Sequence, residues 1–164
     1  MKMSRVLVSA AALAFSVSGL GVSTAATVSS ALNVSANVLG TCSFSAATYT
    51  MAFSDYAPVL NSPSLNLPVQ VTCSATVPYS VGVTGLVGGK RFMVSGTDNL
   101  EFNIFQDAGL TTVLGNTPGT NTFAAVGNAA AQTYTLYGKI PDNAANRGLP
   151  AGSYAATLSI DITY

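Results

Sequence analysis

Apolar and polar residues alternate along much of this chain with a period of two, and no long stretch repeats with the 3.6-residue period of a helix. Val28, Ser30, Leu32, Val34, Ala36 and Val38 fall on one face of a stretch whose other face is Thr27, Ser29, Ala31, Asn33, Ser35 and Asn37. Beyond Cys42, residues Tyr49, Met51 and Phe53 alternate with polar or small neighbours. Leu65, Leu67, Val69, Val71 and Cys73 share one face of a clear strand, and Tyr79, Val81 and Val83 mark the next, closed by the Gly-rich residues 85–89. Residues 91–94 and 100–105 form a hairpin around Gly96, Thr97, Asp98 and Asn99, and residues 111–114 form a short strand. Residues 133–140 are a strand with Tyr134, Leu136 and Ile140 on one side. Clusters of Pro, Gly and Asn mark residues 58–63, 116–119 and 141–148 as loops or turns, while the Ala-, Thr- and Asn-rich residues 120–131 give no clear element. Many short strands separated by turn signals predict an all-β sandwich of one domain with no internal repeat.

The two terminal patterns add a specific expectation. Residues 154–164 alternate, with Leu158, Ile160, Ile162 and Tyr164 on one face, and no residue of the sequence follows to pair with them. Such a strand is an open sheet edge, which proteins normally cover. At the other end, residues 27–38 form a strand pattern without an obvious local partner. Together they predict a subunit that completes its neighbour.

The first residues belong to export rather than to the fold. Lys2 and Arg5 precede an apolar run over residues 6–22, and Ser23, Thr24, Ala25 and Ala26 supply a small-residue cleavage site. This is the pattern of a secretory leader peptide over residues 1–25, cut after Ala25 or Ala26. The mature chain then keeps four basic residues (Lys90, Arg91, Lys139, Arg147) against six acidic ones (Asp55, Asp98, Glu101, Asp107, Asp142, Asp161), a net charge of −2. With no basic patch, nucleic acid and anionic membranes are poor partners. Only 7% of the full sequence is charged, where soluble domains average about 25%. A surface so sparsely charged suggests extensive contact with other protein. Export also puts Cys42 and Cys73 in an oxidising compartment, where a disulfide is the default expectation.

The residue types for common catalytic chemistry are missing or dispersed. The chain has no histidine, which removes Ser-His-Asp and Cys-His arrangements and the commonest zinc ligand. Asp98 and Glu101 are the closest carboxylates, but a glycosidase needs two carboxylates facing each other across a sugar, and these flank a tight turn. They read as solvated turn residues, and Lys90-Arg91 as a solvated strand end. Asn33-Val34-Ser35 fits a glycosylation sequon within a predicted strand, and residues 85–89 and 115–119 carry small-residue spacings that read as turns. No enzyme activity, metal or cofactor is expected.

A set of motifs then resembles a known family. Residues 37–44 (Asn37-Val38-Leu39-Gly40-Thr41-Cys42-Ser43-Phe44), Val71-Thr72-Cys73, Arg91-Phe92-Met93, residues 100–107, residues 136–141, residues 150–154 and the final Tyr164 resemble, in order, the spore coat U domain. The family includes subunits of Csu-type archaic chaperone–usher pili. The resemblance implies an incomplete immunoglobulin-like β-sandwich that lacks its final strand and carries an N-terminal donor strand. It divides the chain into a leader at 1–25, a donor strand at 26–38 and a pilin-like domain at 39–164. It further implies a surface pilus subunit serving adhesion and biofilm formation, polymerised by donor-strand exchange. Its partners would be a periplasmic chaperone, an outer-membrane usher and identical or related subunits. Val28, Leu32 and Val34 would be the main donor plugs, with Leu158, Ile160, Ile162 and Tyr164 in the acceptor groove and chaperone edge. The alternatives are a surface-coat protein not assembled into pili, a secreted sugar-binding domain, and a self-complemented sandwich whose N-terminal strand fills its own groove.

Overall fold

In the computed structural model, which describes residues 25–164, the chain builds two antiparallel sheets. The strands are β1 (Cys42–Phe44), β2 (Ser64–Cys73), β3 (Pro78–Val83), β4 (Arg91–Ser95), β5 (Asp98–Phe105), β6 (Phe123–Val126), β7 (Ala131–Lys139) and β8 (Ile160–Thr163). One sheet has the order β1-β2-β7-β5-β4 and the other β6-β3-β8. The leader expected at residues 1–25 lies outside the described residues except for Ala25. Residues 25–36 belong to a unit separate from residues 37–164. They form no strand within the single chain, and Val28, Leu32 and Val34 expose their side chains.

The core follows from the alternation. Inward residues of β2 (Val69, Val71, Cys73), β3 (Tyr79, Val81, Val83), β5 (Leu100, Phe102, Ile104) and β7 (Leu136) are buried together with Leu114 and Ile140. β2 and β7 form the longest ladder, pairing from Ser64↔Lys139 to Thr72↔Ala131. Pro68 lies in β2 beyond the end of its β1 pairing at Phe44↔Val71, where no neighbour asks for its missing N–H. Cys42 and Cys73 face each other across the β1–β2 pair and form a disulfide, as their compartment predicted.

Four sequence expectations change in detail. The hairpin of β4 and β5 forms as predicted, but residues 111–114 form no strand: Val113 bridges Phe105, the Thr112 carbonyl accepts from the Gln106 N–H, the Leu114 N–H donates to the Ile104 carbonyl, and the Leu114 side chain is buried. β6 appears inside the stretch that gave no element, because pairing with β3 overrides the weak strand propensity of Ala124 and Ala125. The loop at 141–148 contains a one-turn helix, α1 (Ala144–Arg147), started by Asn143, whose side chain accepts from the Asn146 N–H. Arg91 is the largest correction. It is 0% exposed rather than solvated. Its Nε donates to the Thr84 carbonyl and one terminal nitrogen to the carbonyls of Val83 and Leu114, which ties β4 to the end of β3. No carboxylate partners it, and burial lowers its pKa to about 10.

Candidate functional site

The strands expected at residues 49–53 and 154–164 form only in part: residues 49–53 belong to no strand, and the second stretch has a single bridge, Val94↔Ala155, before β8 begins at Ile160, with no ladder between the two stretches. After β1, the last ladder-like bond is from the Ser45 N–H to the Gln70 carbonyl. Residues 46–53 then belong to no strand, with a bend at Ala47, and Tyr49, Met51 and Phe53 turn their side chains half inward. Gly138 on β7 makes room for this segment: a Cβ there would lie 2.6 Å from the Met51 sulfur and 2.9 Å from the Phe53 ring. Opposite runs the segment that leads into β8. Tyr154, Leu158, Ile160 and Ile162 face inward, and β8 is an edge of its sheet, paired only with β3.

An apolar cleft of about 270 Å³ opens between these two walls. Its floor includes Leu67, Phe102, Ile104 and Leu136 of the larger sheet, and Met51, Met93, Tyr154 and Leu158 rise at its sides. It continues toward Phe44 and Tyr49 at one end and toward Asp55, Tyr56 and Pro150 at the other. The result is a trough along the sandwich rather than a closed pocket. Its apolar floor would normally lie beneath a strand.

The backbone direction of the second wall is set by its outer neighbours. Ala155 exchanges both its N–H and C=O with Val94. The Ser159 carbonyl accepts from the Thr84 N–H, and the Ser159 N–H donates to Thr84 Oγ1. In an antiparallel strand consecutive residues direct their polar groups to opposite sides. Tyr154, Ala156 and Leu158 therefore present theirs to the trough, as a sheet edge does to an incoming strand.

The far end is braced by an ion pair. Asp142 accepts from Arg147, from the Tyr56 hydroxyl at 2.8 Å and from the Val59 N–H, and the Arg147 contact is the first cause of its lowered pKa. Tyr154 donates its hydroxyl to the Pro150 carbonyl, and burial raises its pKa, helped by Asp98. These bonds fix both walls where the trough opens.

The other sequence candidates fall into two groups. Leu158 and Ile160 line the trough, and Ile162 packs on the core beside them. Tyr164 is 62% exposed. Asp98 and Glu101 both lie in β5 rather than in the turn, three residues apart, so they project to opposite faces. Glu101 bonds to Lys90 and to the Asn143 side chain, as a structural carboxylate. The sequence reading did not single out Ala156 or Met93 as site residues, though Met93 lies in one of the family-like motifs; the trough lining brings both to the site. Among the described residues, no cluster of three metal-ligating side chains occurs and no helix is long and apolar enough to cross a membrane.

Two stacked antiparallel sheets with an open trough define an immunoglobulin-like β-sandwich that is one strand short between its walls. The model of the Spore Coat Protein U domain matches residues 28–161, and the chain belongs to that family. No curated protein matches the chain. Among solved structures, a chain of the CsuC–CsuE chaperone–tip adhesion subunit pre-assembly complex, from the archaic chaperone–usher Csu pili of Acinetobacter baumannii, shares the fold. Identity is 22% and the TM-score 0.56, over 77% of this chain and 40% of that one.

Proposed function

We propose that this protein is a structural subunit of a chaperone–usher surface pilus, exported through the periplasm and polymerised by donor-strand exchange. The observation that carries the reading is the trough: an apolar floor between two walls, one of which presents unpaired backbone groups. Strand addition answers both needs at once, since main-chain bonds satisfy the edge and alternate side chains fill the floor. Residues 27–38 suit the insertion. They alternate, contain no proline and leave Val28, Leu32 and Val34 exposed within the single chain.

In this reading a periplasmic chaperone first lends a strand, and at the outer-membrane usher the donor segment of another copy replaces it. Burying Val28, Leu32 and Val34 contributes roughly 4–9 kcal/mol of gross transfer energy. Ladder bonds add to this and the cost of association subtracts. The long life of the fibre then reflects slow loss of the inserted strand. Family membership and the likeness to a chain from a chaperone–pilus-subunit complex support this reading over that of an enzyme or a sugar-binding domain. Display at the cell surface would serve attachment.

Two substitutions separate the steps. Leu32→Asp puts a charge where an apolar floor awaits it. The variant should still co-purify with the chaperone but form no fibres in electron micrographs. Ile160→Asp alters the trough itself and should lose chaperone capture first, leaving an aggregating or degraded subunit. Normal fibres from the Leu32→Asp chain would refute the donor assignment, and undiminished chaperone recovery from the Ile160→Asp chain would refute the docking edge.

A further inference from the structure

Strand exchange alone leaves open which donor residue meets which part of the trough. We infer that the donor strand of one copy lies antiparallel to the 154–160 wall of the next, with Leu32 opposite Ala156. Val28 then faces Ile160, Ser30 faces Leu158, Val34 faces Tyr154 and Ala36 faces Gly152. This register rests on the strand-exchange reading above and adds a specificity rule to it.

Parity comes first. The wall turns the polar groups of its even-numbered residues into the trough, because Ala155 and Ser159 spend theirs on Val94 and Thr84. The same even residues point their side chains to the core: Tyr154, Leu158 and Ile160 are half-buried there. In an antiparallel ladder, directly opposed residues share a face. The apolar face of the donor consists of Val28, Ser30, Leu32, Val34, Ala36 and Val38, so only registers that oppose even residues to even residues fill the floor. A shift of one residue would turn the whole apolar face outward.

Direction comes next. Residues 44–51 lie beside 156–160, while residues 51–58 lie beside 149–154, so the two walls run in opposite senses. An inserted strand is antiparallel to one wall and parallel to the other. The 154–160 wall continues into β8, a formed strand. Antiparallel pairing on that wall is the more stable choice per residue.

Size selects among the remaining registers. Along the wall the inward series runs Tyr154, Ala156, Leu158, Ile160, with Ala156 the small member. Along the donor it runs Val28, Ser30, Leu32, Val34, with Ser30 the small member and Leu32 the largest. Leu32 opposite Ala156 pairs the longest plug with the smallest member of the wall, and puts Ser30 opposite the bulky Leu158. Sliding by two residues one way sets Leu32 against Leu158. Sliding the other way sets Ser30 against Ala156 and leaves the floor uncovered. Close packing disfavours both the clash and the void.

Cysteine pairs placed on separate copies read the register. Two full chains would be co-produced with the chaperone and usher, one carrying Leu32→Cys and the other Ala156→Cys. Directly opposed, hydrogen-bonded residues lie about 5.5 Å apart at Cα, within disulfide range. The expected result is a reducible covalent dimer between copies. Its yield should exceed several-fold that of Leu32→Cys with Leu158→Cys or with Tyr154→Cys. Val28→Cys with Ile160→Cys should link equally well, which a parallel insertion forbids. As a check independent of cysteine, Ala156→Leu should abolish fibres and Leu32→Ala in the same chain should restore them. Fibres whose preferred link is Leu32 to Leu158 or Tyr154 would overturn the register while strand exchange stands. Wild-type chains that form no fibres, or a link that closes only within one chain, would overturn both.

Discussion

The β2–β7 ladder and the trough are written in the same alternating code, yet one is closed and the other open. Val69, Val71 and Leu136 sit at 0–1% exposure because each strand has a registered partner and a facing sheet. Tyr49, Met51, Leu158 and Ile160 carry the same inward apolar pattern but remain half-buried. What separates the two regions is pairing rather than residue type. Period-two alternation records which face expects burial; it does not record whether the chain itself supplies the strand that completes it. An apolar pattern without a ladder is the mark of a surface that another strand is meant to cover.

The comparison can be sharpened by loosening the closed half and asking whether the open half survives. Replacing both cysteines, Cys42→Ala with Cys73→Ala, removes a link spanning 31 residues. On the chain-entropy account this costs about 3–4 kcal/mol. Chemical denaturation of the chaperone-free subunit should show a midpoint lowered accordingly, and an unchanged midpoint would mean that the ladder holds β1 without the link. Arg91→Met is expected to cost somewhat less, about 2 kcal/mol, because it strands the carbonyls of Val83, Thr84 and Leu114 while removing an unpaired buried charge. Since Thr84 in turn holds Ser159, amide hydrogen exchange at residues 158–162 should quicken in this variant. Protection left intact there would separate Arg91 from the trough wall.

The smallest effect concerns acid. The carboxyl of Asp142 is held below its ordinary value in the folded chain by Arg147 first and by the Val59 N–H and Tyr56 hydroxyl after it. A depressed folded pKa gives stability that is complete above the unfolded value of about 4 and fades as pH falls below it. Thermal unfolding between pH 7 and pH 3 should therefore fall more steeply for the wild type than for Asp142→Asn. Parallel curves would show that the brace contributes nothing measurable, as exposed pairs often do not.

How far the fold was legible differs between these regions too. Sequence pattern located β2, β3, the β4–β5 hairpin and β7, since each has several inward residues of one kind bounded by turn signals. It located the cysteine pair from compartment and count. It missed β6, where Ala124 and Ala125 carry no strand signal and the pairing with β3 decides. It placed Arg91 in solvent, because a charge adjacent to Lys90 looks like a polar strand end; the three carbonyls that hold it come from residues 83, 84 and 114, which no local window contains. Leu158 and Ile160 were legible as trough residues from their alternation. Ala156 and Gly138 were not, because their part is to be small where another chain or another segment must fit.

The central claim is that residues 27–38 of one copy occupy the trough of another. The most direct measurement is electrophoresis of the purified mature protein in SDS, with and without boiling. The account predicts a ladder of multimers without boiling that collapses to a single monomer band on boiling, and no ladder from Leu32→Asp. A wild-type protein that runs only as monomer when unboiled, or a Leu32→Asp protein with an undiminished ladder, would contradict it.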